Sequence, residues 1–214
     1  MTAQIGDIYK YQNKEYHLVA LSSAHIFNPK KYGLEPHASS TACSRGYWCE
    51  YAILDDILLL KDLYLFNRDD KYPPLNGTEV SSQEFEEVEC HVRGKSKTEK
   101  RLRPAHFGHR VYRDVNMPVP YTGKILLGDD FIWDYYIHMG FQRSWAYRKL
   151  IELVFEEGIL IETHDHSHIA RALREAIQKS NDDPRWPDRN KIANFVEDCF
   201  SLDYSVKAWW IKDD

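Results

Sequence analysis

Residues 48–66 read WCEYAILDDILLLKDLYLF, two apolar runs joined at Asp55-Asp56. Each run is too short for a helix and is rich in aromatic and branched side chains, which pack well on a pleated surface. Such runs separated by a two-residue acidic break predict a β-hairpin. The stretch WAYRKLIELVFEEGILIETHD, residues 145–165, follows the same plan, with its turn at Glu157-Gly158. A third hairpin is expected in DIYKYQNKEYHLVAL near the start, where the turn falls in QNKE. The segments PPLNG and VPYTG add to the similarity between the two halves, which suggests an internal duplication.

Helix signals are confined to the second half. Asp129 or Asp130 can cap a short helix presenting Ile132, Tyr135, Tyr136 and Met139, with Gly140 at its end. A helix after Ser167 presents Ile169, Leu173, Ala176 and Ile177, and another after Asp188 presents Ile192, Phe195, Val196 and Cys199. YSVKAWWI closes the chain as a candidate strand. The expected class is α+β: antiparallel β-hairpins with helices near the C-terminus. Residues 1–90 form a β-rich N-terminal half, 91–114 a basic loop, and 115–214 a hairpin with the C-terminal helices, the two halves packing as one unit.

The basic loop stands out by charge. The whole chain carries a net charge of −5, yet residues 91–114 hold 8 of the 28 Lys and Arg residues and only Glu99 and Asp114 among the acids. Lys95, Lys97, Lys100, Arg101 and Arg103 are the candidate binding residues there. The acidic balance argues against general nucleic-acid affinity, so the loop reads as a solvated element that steers an acidic partner. The N-terminus lacks a basic segment followed by an apolar one, and no apolar run approaches the ~20 residues needed to span a bilayer. A cytoplasmic, non-membrane protein is expected, whose four cysteines stay reduced.

Three side-chain groups could carry chemistry. Alternation from Ile159 puts Glu162, His164 and His166 on one strand face, where two-apart ligands could hold zinc or another divalent metal. THDHSH resembles the THxHxDH run of metallo-β-lactamase-type hydrolases but departs from it, since His168 and Ile169 stand where that motif has Asp and His. The bland alternative is that Asp165 and Ser167 end the strand and cap the helix while the histidines face solvent. Cys43 and Cys49 are spaced too widely for a zinc knuckle and suit buried positions. The acidic pairs fall at turns, caps and termini, where Asp bonds its own backbone. Nucleotide-binding, serine-hydrolase and HExxH signatures are missing. With 14 Tyr and 6 Trp, the chain reads as a binding protein without cofactor, an immunity- or antitoxin-like inhibitor acting by surface complementarity on a protein partner. A metal-dependent hydrolase built on Glu162, His164 and His166 is the alternative.

Overall fold

The computed structural model describes residues 2–22, 26–91, 98–138 and 140–180. Eleven strands and one α-helix lie in these segments: β1 (Ile8–Tyr11), β2 (Lys14–Leu21), β3 (Tyr47–Leu54), β4 (Ile57–Leu65), β5 (Phe85–His91), β6 (Thr98–Pro104), β7 (Arg110–Tyr112), β8 (Met117–Pro118), β9 (Gly123–Phe131), β10 (Tyr147–Glu156), β11 (Ile159–Asp165) and α1 (Ser167–Ser180). The α+β expectation is overturned. The protein is mostly β, and seven strands close into a barrel in the order β11-β10-β9-β2-β1-β3-β4. The second C-terminal helix and the final strand expected from the sequence lie outside the described residues.

Two-residue turns shape the strand pairs. Gln12-Asn13, Asp55-Asp56 and Glu157-Gly158 all have positive φ, the geometry whose twist matches that of two antiparallel strands. The pairings that make a barrel are long-range. β1 runs parallel to β3, and β2 pairs antiparallel with β9 across more than a hundred residues of chain. Closure depends on a narrow contact between two turns. Leu58 N–H donates to the Gly158 carbonyl at 2.9 Å, and Leu160 N–H to that of Asp56 at 2.7 Å. Register shifts at Leu18/Ala20, Glu50/Tyr51 and Val154/Phe155 mark bulges, which add the bend a closed sheet needs.

The short helix expected around 130–139 is replaced by β9, which runs through Asp129 and Asp130 to Phe131, followed by a single 3-10 turn, Trp133–Tyr135. β10 pairs with β9 from Gly123 to Phe131, while β2 pairs with it only from Ile125 to Gly128, so the β10 ladder carries the strand past the capping signal of its aspartates. Gly128 makes this packing feasible: a Cβ there would lie 2.5 Å from Cγ of Tyr147, whose ring covers the strand.

Side chains fill the barrel. Tyr9, Cys49, Tyr51, Leu58, Leu60, Leu63, Ile125, Leu127, Leu153 and Phe155 are at most 1% exposed and belong to one core, with the Tyr9 and Tyr51 rings stacked at 4.9 Å. A barrel of this strand number has an interior that side chains just fill. Helix α1 lies on the outside. Its stripe is Ile169, Ala170, Leu173 and Ile177, set on Leu126, Leu150, Trp145 and Tyr147, and Ala176 is exposed. No helix among the described residues is long and apolar enough to cross a membrane.

Candidate functional site

The basic segment forms part of an arm. β5 and β6 pair only with each other, as a two-stranded sheet separate from the barrel. Lys95 and Lys97 lie outside the described residues. Lys100, Arg101 and Arg103 sit on β6 rather than in a loop, opposite Glu89, Val88 and Glu86. Arg103 Nε lies 2.8 Å from Glu86, and Lys100 Nζ 2.8 Å from Glu87. The acids of β5 therefore offset much of the charge that made residues 91–114 conspicuous. Exposed pairs of this kind contribute only about 0–1 kcal/mol each, so they set the arm's pattern more than its stability.

Phe85, Pro104 and Leu102 share one face of the arm by register, and Phe85 and Leu102 are 60% and 75% exposed. A lone two-stranded hairpin is marginal in water, and this one leaves its large apolar side chains uncovered. Its root is well fastened. Ala105 N–H donates to the Glu84 carbonyl at 2.9 Å, Arg113 forks onto the Glu84 carboxylate, and His106 Nε2 lies 3.0 Å from the same group. Arg113, and then His106, hold the Glu84 pKa below its ordinary value.

The root is also strained. His106, Phe107 and Gly108 follow one another with φ of 51°, 56° and 83°. Left-handed backbone costs a residue with a Cβ about 1–2 kcal/mol, so His106 and Phe107 are held against their preference. The strain puts the Phe107 ring 58% into solvent, while His109 is buried between Trp48 and Phe66. His109 Nδ1 donates to the His106 carbonyl at 2.8 Å, which fixes its tautomer. Ser39 Oγ stands 3.4 Å from both ring nitrogens, longer than a proton-transfer contact.

The histidine run divides. Glu162 and His164 do share a face, with His164 Nε2 2.9 Å from the Glu162 carboxylate, and both are exposed. His166 lies past the strand end, 3.8 Å from the buried Glu152. Lys149 is ion-paired to Asp165 beside them. Among the described residues no three His, Cys, Asp or Glu side chains come together to hold a metal. The strand-ending roles are divided too. Asp165 accepts from the Ser167 N–H at 2.9 Å, and the Ser167 hydroxyl accepts from Leu150 N–H at 3.0 Å, tying the helix start to β10. Lys149 and Ser167 depress the Asp165 pKa strongly. Cys43 and Cys49 are buried free thiols whose pKa values burial raises.

Burial lowers the pKa of His109, and burial lowers that of His166 against the opposing pull of Glu152. Folding therefore favours both neutral imidazoles, and the unfolded chain binds the extra protons. Their contribution is complete above the ordinary histidine value of about 6.5 and is lost as pH falls below it towards the native values. The melting temperature should drop between pH 7.5 and 5, by about 2–4 °C per kcal/mol in a chain this size. His109→Gln should flatten that slope; an unchanged slope would contradict the assignment.

The chain matches no protein-family model, and no curated protein or solved structure is significantly similar to it. Sequence reasoning missed the root of the arm. His106-Phe107-Gly108-His109 carried a turn signal at Gly108 but nothing that announced two left-handed residues before it.

Proposed function

We propose that this chain is a binding protein whose projecting arm, β5–β6 with Phe107 at its root, docks on a protein partner. One observation carries the reading. The arm exposes Phe85 and Leu102 on a two-stranded sheet that has no core of its own, on a root held in strained backbone. Apolar anchors ringed by charge are the anatomy of an interface centre with a polar rim. The finer proposal is an immunity- or antitoxin-like inhibitor. An acidic chain of net charge −5 associates fastest with a basic protein, and the arm would cover that protein's working surface. Phosphate binding by Lys100, Arg101 and Arg103 is disfavoured because Glu86 and Glu87 already engage two of them.

The test places a photo-crosslinking side chain at Leu102 in the full-length protein in its native cell, with Leu54, exposed on the barrel, as the control position. A single partner should cross-link from position 102 and not from 54. The purified partner should then bind the Phe85→Ser/Leu102→Ser variant at least about tenfold more weakly, as expected for losing anchors worth more than about 1 kcal/mol. Equal affinity of variant and parent, cross-linking only to another copy of this chain, or no cross-linked product at all would each overturn the proposal.

A further inference from the structure

Outside the barrel wall, between α1 and the 3-10 turn at Trp133–Tyr135, lies a cleft of about 520 Å³. Arg148 reaches it from β10, and Arg171 and Arg174 from α1. Tyr135 and Ile177 form apolar wall, and Asp134 is the one acidic side chain lining it among the described residues. The volume falls within the range of small-molecule sites, and the mixture of apolar wall and a few directed polar groups is their usual composition.

The arginines are arranged against their own electrostatic preference. Arg171 and Arg174 stand three residues apart on one helix face, a spacing at which like charges repel, and Arg148 adds a third cation from the neighbouring strand. Arg148 has only a loose contact with a carboxylate, 3.9 Å to Asp130. One Arg174 amino group donates to the Trp145 carbonyl at 3.0 Å and the Tyr147 carbonyl at 2.8 Å, which fixes the guanidinium plane in advance of any ligand. Burial above all, with the fields of Arg148 and Arg171, lowers the Arg174 pKa against the opposing pulls of Tyr135 and Glu175.

We infer that this cleft binds a small phosphate monoester carrying an apolar or aromatic body. Three guanidiniums outnumber the two carboxylates near them, Asp134 in the lining and Asp130 beside Arg148, so the cleft keeps a net positive charge, which attracts the roughly −1.5 to −2 of a phosphate monoester at neutral pH more strongly than the single charge of a carboxylate. Planar guanidiniums suit the paired oxygens of phosphate. The phosphate would lie on Arg148, Arg171 and Arg174, with the body against Tyr135 and Ile177. This site uses none of the arm's residues, so it stands apart from the binding role proposed above.

Calorimetry on the full-length protein at fixed ionic strength tests the site with phenyl phosphate as the probe. Phenyl phosphate should bind with a Kd below about 1 mM, modest for a ligand of this size. Sulfate, with equal charge and no body, should bind at least about tenfold more weakly. Binding should strengthen as pH rises through about 6, where the ester takes its second charge. Arg171→Gln, an exposed change that leaves the Arg174 carbonyl bonds in place, should weaken phenyl phosphate at least about tenfold, the effect of losing a charge-assisted bond. Arg103→Gln on the arm should leave it unchanged. No binding of phenyl phosphate at about 10 mM, equal binding of sulfate, or full binding by Arg171→Gln would each overturn the inference.

Discussion

Asp7→Ala should destabilise the protein by about 2–4 kcal/mol, somewhat under the cost of stranding a fully buried charge, because the Arg45 side chain it leaves unpaired is about a third exposed. Asp7 is 4% exposed and sits just before β1. Its carboxylate accepts from the Cys49 backbone N–H at 2.7 Å and from both terminal nitrogens of Arg45, one of them at 3.2 Å. Burial works against the Arg45 charge, and the Asp7 carboxylate more than offsets it, so the arginine pKa stands above its ordinary value. With alanine at position 7, the half-buried guanidinium keeps its place 4.8 Å over the Tyr47 ring but loses its counter-charge. The β3 amide of Cys49 also loses its acceptor. Total stability of such domains is about 5–15 kcal/mol, so this one change removes a large share. Adding Arg45→Met should restore part of the loss, since removing both charges costs less than stranding one. Urea melts of the parent, both single variants and the double variant measure the coupling. A loss under about 1 kcal/mol for Asp7→Ala would show the pair to be energetically idle.

The second large effect is expected at the seam of the barrel. Gly158→Ala should cost about 2–5 kcal/mol, from about 1–2 for a side chain in left-handed backbone and about 1–3 for overpacking. Gly158 has φ of 83°, and a Cβ there would penetrate the Val119 carbonyl oxygen, a backbone atom that cannot swing aside. The same residue bonds on both sides, since Gly158 N–H donates to the Tyr121 carbonyl at 2.8 Å while its own carbonyl accepts the closing bond from Leu58. Gly77→Ala is the matched control. Gly77 has φ of 80° with nothing within 4 Å of where an alanine methyl would stand, so its alanine variant should lose only the backbone part, about 1–2 kcal/mol. Equal losses at 158 and 77 in thermal melts would mean that contact at the seam is not what limits the site.

Strands and turns were written locally. Alternation marked β1 to β4, β10 and β11 in part or whole, and Gln12-Asn13, Asp55-Asp56 and Glu157-Gly158 announced their turns, because a period of two and a positive φ depend on neighbouring residues alone. The stripe of α1 was legible for the same reason, although Ala170 took the place expected for Ala176. Glu162 and His164 do lie on one face, but the sequence could not show that His166 lies beside Glu152, because that approach depends on the antiparallel register that sets the end of β11, Asp165, against Ile151 of β10.

Tertiary structure alone decided that the strands close into a barrel. Neither the parallel pairing of β1 with β3 nor the ladder between β2 and β9 leaves a local trace, since each side chain pattern is satisfied by any neighbour that covers its apolar face. It decided that β9 is a strand through Asp130, where the ladder with β10 overrode a capping signal. It also decided the sites. The sequence showed a block of basic residues, but only the pairing of β5 with β6 set Glu86 and Glu87 against them and left Phe85 and Leu102 uncovered. Arg148 and Arg174, 26 positions apart in the chain, share a cleft because α1 folds back over β10. Charge and apolar area act through space, so their partners are fixed by the fold and not by the order of residues along the chain.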